Sequence, residues 1–117
     1  MELRELAGLI GIDLPVTLER FMGNEALYLR FLKKYPDGQN FSHLEQEIEQ
    51  GNPNYETIER EAHTLKGVAG NLGLANIQEY SDEMVQAVRN HQYDLLWELF
   101  QKLKKFQQEA VEGISRL

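Results

Sequence analysis

The clearest structural signal in this sequence lies in residues 55–73, which read YETIEREAHTLKGVAGNLG. Apolar side chains recur in this stretch at intervals of three and four, namely at Tyr55, Ile58, Ala62, Leu65, Ala69 and Leu72. Such spacing predicts an amphipathic helix that buries one face. Gly73 is suited to end that helix, and residues 51–54, GNPN, predict a turn before it.

The same intervals continue along most of the chain, and no stretch alternates strictly as a half-buried strand would. Asp13 is predicted to cap a short helix over residues 14–22. Asn24 is predicted to cap a second helix, which is broken or kinked at residues 36–38 and resumes to Ile48. Two more helices are predicted, one from Ile77 to about residue 89 and one from about Tyr93 nearly to the C-terminus.

Long one-sided helices joined by short connections favour packing against the neighbour in sequence. The expected fold is therefore all-α, an up-and-down four-helix bundle with a short additional N-terminal helix. A weaker apolar cluster near the start of the chain is expected to pack over one end of that bundle, and it consists of Leu3, Leu6, Leu9 and Ile10.

Length and composition indicate that residues 1–117 form a single domain, because 117 residues with 42% hydrophobic side chains suffice for one core. The absence of cysteine excludes disulfides, thiolate zinc sites and cysteine nucleophiles. A formal net charge of -7 opposes general attraction to nucleic acid or to anionic lipid. With no apolar run long enough to span a membrane and no signal-peptide pattern at the start, the expected location is the cytoplasm.

The pattern is disturbed at residues 63–70, where two glycines stand inside the predicted helix. Each costs about 1 kcal/mol relative to alanine, so their positions need a reason. At about 100° per residue, Gly67 lies about 40° to one side of His63 and Gly70 about 20° to the other. The apolar face is centred about 125° away, which places His63 on an accessible flank, and Lys66 lies one turn along, about 60° towards the core side.

This arrangement suits phosphoryl transfer. A neutral imidazole is a nucleophile at physiological pH and can carry a covalent group. Phosphoryl transfer requires in-line access and positive charge near the equatorial oxygens more than it requires acid-base machinery. The glycines leave room for a second protein, and Lys66 offsets part of the charge that a phosphoryl group adds.

Residues 62–73, AHTLKGVAGNLG, closely resemble the signature of histidine-containing phosphotransfer (HPt) domains, the carrier modules of multistep two-component phosphorelays. The resemblance extends over nearly the whole chain. Its N-terminal part consists of residues 11–13 (GID), 18–20 (LER), 23–25 (GNE) and 27–28 (LY).

The resemblance implies a four-helix bundle in which His63 accepts a phosphoryl group at Nε2 from the aspartyl phosphate of a receiver domain and passes it to another receiver. Lys66 is the implied phosphoryl-stabilising cation, and Gly67 and Gly70 are the implied clearance positions. The module is implied to be a carrier without an ATP site or cofactor of its own. The partners expected are receiver domains and hybrid sensor kinases, with Mg²⁺ held by the receiver and the carrier acting as a monomer.

Two positions depart from the family pattern. Val68 stands where relatives commonly have Ser or Ala, and Val85 stands where relatives often have a Gln or Glu that orients the histidine. Because Val68 projects away from His63, little effect is expected there. Orientation of His63 by Gln86, by Glu59 or by water stays open.

The other histidines have no comparable surroundings, and we expect His43 and His91 to be exposed or capping residues. His43 and Glu47 lie one turn apart and form at most a weak metal site, since one pair cannot specify a metal. A phosphate-binding loop at Gly67, Gly70 and Gly73 is disfavoured because no strand precedes it.

The earlier helix supplies candidate contacts for a partner. Its cations Arg30, Lys33 and Lys34 are expected to border a docking surface for a negatively charged receiver. Four apolar residues are candidates for that surface, with core positions the expected role of most of them, and they are Phe21, Met22, Tyr28 and Phe31. The alternative function is an interaction module of the same shape that docks a receiver or another signalling protein without being phosphorylated.

Overall fold

Helices account for the regular structure throughout the computed structural model, which describes residues 1–117 and contains no strands. The α-helices are α1 (Leu3–Ile10), α2 (Leu14–Glu19), α3 (Glu25–Lys34), α4 (Asn40–Ile48), α5 (Tyr55–Leu72), α6 (Ala75–Arg89) and α7 (Leu96–Ser115). Short 3₁₀ turns over Tyr35–Asp37 and Tyr93–Leu95 precede α4 and α7. None of these helices is both long enough and apolar enough to cross a membrane.

The helix boundaries follow from local chemistry. The side chains of Asp13 and Asn24 accept hydrogen bonds from backbone amides in the first turns of α2 and α3, as predicted. Asn54 caps α5 in the same way through the Thr57 amide. Gly73 ends α5 with a φ of 78°, a left-handed conformation that glycine adopts without strain.

The four C-terminal helices form the predicted bundle. Helix α4 packs on α5, α5 on α6 and α6 on α7, and α7 closes the bundle against α4. Neighbours in sequence are thus neighbours in space, which is the up-and-down arrangement. The fully buried core residues of this bundle include Leu44, Ile58, Met84, Phe100 and Leu103.

The N-terminal third contains one helix that was not predicted, because the Leu3 to Ile10 cluster forms α1. The predicted break or kink at residues 36–38 is a complete break, so α3 and α4 are separate helices and three short helices precede the bundle. The break follows from Pro36, which lies in the 3₁₀ turn and cannot donate a backbone hydrogen bond. Helix α1 does pack on α7 as expected, and its Leu6 is fully buried against the backbone of Gly113.

Candidate functional site

The exposed side of α5 borders an open polar groove, here called the His63 groove. Its volume is about 420 Å³, and no hydrophobic side chain lines it. The lining residues are Arg20, His63, Lys66, Gly67, Gly70, Asn71 and Gln78. All four candidate site residues predicted from the sequence therefore lie in one groove, and three further polar residues join them.

Lys66 is the central cation of the groove, and its charge is already partnered. Its Nζ donates a hydrogen bond to Asp82 Oδ1 of α6 at 2.9 Å. This hydrogen bond lowers the pKa of the Asp82 carboxyl below its ordinary value of 3.8, and a weaker bond from Gln86 Nε2 at 3.4 Å acts in the same direction. Asp82 could not be predicted from the sequence, because nothing in the spacing of one helix indicates which side chain of the next helix faces it.

The two glycines of the groove differ in what surrounds them. A Cβ added to Gly67 would meet no atom of the protein within 4 Å, so this stretch of backbone is open to a partner. A Cβ added to Gly70 would lie 2.7 Å from Nε2 of Gln78, at the start of α6. Gly70 therefore makes room for a side chain of this same chain, whereas the sequence predicted room for a partner.

The imidazole of His63 is exposed, and no side chain of the protein hydrogen-bonds to it. The two candidates for orienting it are engaged elsewhere. Gln86 donates to Asp82, and Glu59 Oε1 lies 2.6 Å from Nε of Arg89 in an ion pair. Val85 is buried in the core. Neither Gln86 nor Glu59 therefore hydrogen-bonds to His63 in this structure.

Arg20 is a second cation of the groove, and it comes from the end of α2. Its Nη1 donates a hydrogen bond to the carbonyl oxygen of Gly70 at 3.0 Å, which joins the N-terminal helices to the last turns of α5. No carboxylate pairs with it, in contrast to Lys66. In the sequence Arg20 falls within the short helix predicted over residues 14–22, and no periodicity links it to α5.

A second groove, of about 330 Å³, adjoins the first, with Asn71 lining both. Phe31, Lys34 and Val68 contribute to its walls. Phe31 and Val68 are 47% and 41% exposed, so two large apolar side chains of this groove are accessible to a partner.

The candidates on the earlier helices divide between core and surface. Phe21 and Tyr28 are buried, whereas Met22 and Phe31 are exposed. The cations Arg30, Lys33 and Lys34 all lie on the exposed part of α3, and none of them forms an ion pair.

The remaining histidines lie outside the His63 groove. His43 Nδ1 is 3.8 Å from Glu61 Oε1, and His91 Nδ1 is 2.7 Å from the hydroxyl of Tyr93. The structure contains no group of three or more His, Cys, Asp or Glu side chains that could hold a metal ion.

Comparison with protein families assigns the class. A family model described as "Hpt domain" matches residues 38–114, which include α4 to α6, most of α7 and the whole of the glycine-containing segment around His63. Since the match covers more than half of the chain, the protein belongs to the Hpt domain family. Hpt domains act in histidine phosphotransfer in phosphorelays, as carriers rather than kinases, and interact with response-regulator receiver domains and kinases. No curated protein and no solved structure matches the chain.

Proposed function

We propose that this chain relays a phosphoryl group between the aspartates of response-regulator receiver domains, and that His63 is the residue that carries it. The observation that supports this most directly is the position of His63. It is an exposed imidazole in the middle of a long helix, inside the matched segment, in a groove without apolar side chains.

The proposed transfer step is a nucleophilic substitution at phosphorus. The lone pair of Nε2 attacks the phosphorus of the aspartyl phosphate, the bond between phosphorus and the carboxylate oxygen breaks, and the carboxylate leaves with the bonding pair. The proton of the imidazole stays on the other ring nitrogen. Onward transfer is the same step in reverse, with a carboxylate of the next receiver as the nucleophile.

Three features of the groove suit this step. The open backbone at Gly67 allows the receiver to approach in line with the imidazole. Lys66 and Arg20 supply positive charge for the phosphoryl oxygens. We assign Mg²⁺ to the receiver, because the groove itself is lined by cationic and neutral groups and offers no carboxylate.

The second groove and α3 suit the docking of the receiver. Phe31 and Val68 offer apolar contact beside His63, and Lys34 lies in the same groove. A receiver carries acidic residues around its phospho-acceptor aspartate, so the unpaired cations of α3 would attract it. We further propose that the carrier is a cytoplasmic monomer without an ATP site.

The test is incubation with a phosphorylated receiver domain and Mg²⁺, followed by intact mass of the wild type, of His63→Gln and of His43→Gln as a matched exposed histidine. The expected result is one acid-labile, alkali-stable phosphate on the wild type and on His43→Gln, and none on His63→Gln. Absence of label from several competent receivers that bind the folded protein would favour the docking module that is not phosphorylated.

A further inference from the structure

Two ion pairs join α5 to α6, and they differ in one respect that bears on the site. Lys66 pairs with Asp82 at 2.9 Å, and Arg89 pairs with Glu59 at 2.6 Å. Only the first pair contains a cation of the His63 groove. Asp82 itself does not line that groove, so its carboxylate draws the ammonium towards α6 from outside the groove.

The Lys66 ammonium thus has two possible anionic partners. Lys66 lies three residues after His63, so the two side chains are neighbours on one helix. A phosphoryl group on His63 brings about two negative charges within reach of the same ammonium. The side chains of Lys66 and Asp82 are 36% and 38% exposed, so water screens their attraction and the ion pair is weak enough to be exchanged for the phosphoryl group.

We propose that Asp82 is a positioning residue for Lys66. It holds the ammonium beside α6 when His63 is unmodified, and it competes with the phosphoryl group for that ammonium once His63 is phosphorylated. A ligand shifts an equilibrium only by its differential interaction with the two states. Because Asp82 stabilises the unmodified state and competes with the phosphoryl group for Lys66, the phosphohistidine is less stable and its lifetime is shorter.

This inference rests on the proposed function, since it assumes that His63 carries a phosphoryl group. It predicts that removing the charge of Asp82 lengthens the lifetime of the phosphohistidine. The variant Asp82→Asn keeps an oxygen acceptor and the side-chain shape but removes the charge, so Lys66 becomes free to contact the phosphoryl oxygens. The phosphohistidine should then survive longer, by about threefold to tenfold, as expected for the removal of one partly exposed charge nearby.

The experiment labels the protein with phosphoramidate, a small donor that needs no docking surface. Nucleophilic attack by His63 breaks the phosphorus–nitrogen bond of the donor, and ammonia leaves. After removal of the donor, intact mass and ³¹P NMR follow the loss of the phosphoryl group. Glu59→Gln is the matched control, because it removes the other ion pair between the same two helices and leaves Lys66 untouched.

A double-mutant cycle separates positioning from direct repulsion. In a Lys66→Gln background, Asp82→Asn should lengthen the phosphohistidine lifetime by less than half as much, in logarithmic terms, as it does in the wild type. A purely structural bond between α5 and α6 would give equal changes for Asp82→Asn and Glu59→Gln. If Asp82→Asn does not fold, Asp82→Ser provides the same loss of charge.

The inference is overturned if the phosphohistidine of Asp82→Asn decays at the wild-type rate, or if Glu59→Gln lengthens its lifetime as much as Asp82→Asn does. It is also overturned if Asp82→Asn lengthens the lifetime by the same factor in the Lys66→Gln background. Labelling by phosphoramidate but by no receiver, with the Asp82 effect present, would leave the role of Asp82 standing and overturn the proposed relay. A protein that neither donor labels on His63 would overturn both.

Discussion

Helix α5 has two faces that follow opposite rules. On its buried face every residue is at most 4% exposed, and that face consists of Ile58, Ala62, Leu65, Ala69 and Leu72. The other face presents His63, Lys66 and two glycines to an open polar groove. The two faces of this helix therefore have different roles. The buried face fixes where the helix lies, and the groove face can therefore hold residues such as glycine that would weaken an isolated helix.

The largest expected difference between the two faces is in stability. Leu65→Ala should lower the free energy of unfolding by about 3 kcal/mol, because it removes buried methyl groups and leaves a cavity. His63→Gln should change that free energy by less than about 0.5 kcal/mol, since the side chain is exposed and unpartnered. Urea unfolding of both variants measures the difference. Similar losses for the two would show that the groove face also supports the fold.

The next effect concerns access at Gly67. Gly67→Gln should slow phosphoryl transfer from a receiver by between about tenfold and a hundredfold, because the new side chain occupies the space that the partner needs. Helix stability should rise, by up to about 1 kcal/mol, because glycine is a poor helix former.

Gly8→Gln is the control for this change, since Gly8 is also an exposed helical glycine with no atom within 4 Å of an added Cβ. It should alter stability in the same direction and leave transfer unchanged. A normal transfer rate in Gly67→Gln would show that the open backbone at Gly67 is not needed for the receiver to approach. Gly70 does not serve as a clean comparison, because a side chain there must first displace Gln78.

A smaller effect is expected for charge on α3. The double variant Lys33→Glu and Lys34→Glu should weaken receiver binding at low salt by about tenfold, and the loss should shrink as salt is added. The control with the same change in net charge is Lys102→Glu with Lys105→Glu on α7, which lies outside the two grooves. Equal losses in both double variants would point to net charge alone. If the α3 variant bound normally at low salt, Lys33 and Lys34 would no longer be assigned to a docking surface.

The bundle and the buried face of α5 could be predicted from the sequence because both depend on periodicity within single helices. The apolar positions of α5 and the caps at Asp13 and Asn24 are local features, and the structure confirms them. Helix α1 at the N-terminus was not predicted. Gly11, at a φ of 77°, separates α1 from α2, and a short apolar cluster of this kind gives only a weak helical signal.

For the candidate site, the sequence predicted four members on α5, namely His63, Lys66, Gly67 and Gly70. It missed Asn71 on the same helix, Arg20 at the end of α2, and Gln78 and Asp82 on α6. Which side chain of one helix meets which side chain of another depends on the rotation and offset of packed helices, and periodicity leaves both free. For the same reason, the sequence offered Gln86 and Glu59 as partners of His63, and the structure gives each of them a different partner.

The last prediction concerns the residue that joins α3 to the buried face of α5. Tyr28 is fully buried, and its hydroxyl donates to the carbonyl oxygen of Leu72 at 2.7 Å. Tyr28→Phe should cost about 1 kcal/mol at neutral pH, because it leaves a carbonyl without that donor. Tyr80→Phe, at a tyrosine that forms no side-chain hydrogen bond, is the control and should cost less.

The difference in the free energy of unfolding between the wild type and Tyr28→Phe should depend on pH, and that dependence tests whether the buried hydroxyl of Tyr28 causes it. Burial raises the pKa of Tyr28 from 10.0 to about 12, so the folded state keeps this proton in a range where the unfolded state loses it. The free energy of unfolding must therefore fall as the pH rises from 10.0 towards 12, and Tyr28→Phe lacks this contribution. The gap between wild type and variant should narrow above about pH 10 in urea unfolding, while Tyr35, which is unchanged in both, contributes equally. A gap that stayed constant to about pH 11 would mean that Tyr28 ionises as an exposed tyrosine does, and that α3 is held on α5 less firmly than its hydrogen bond implies.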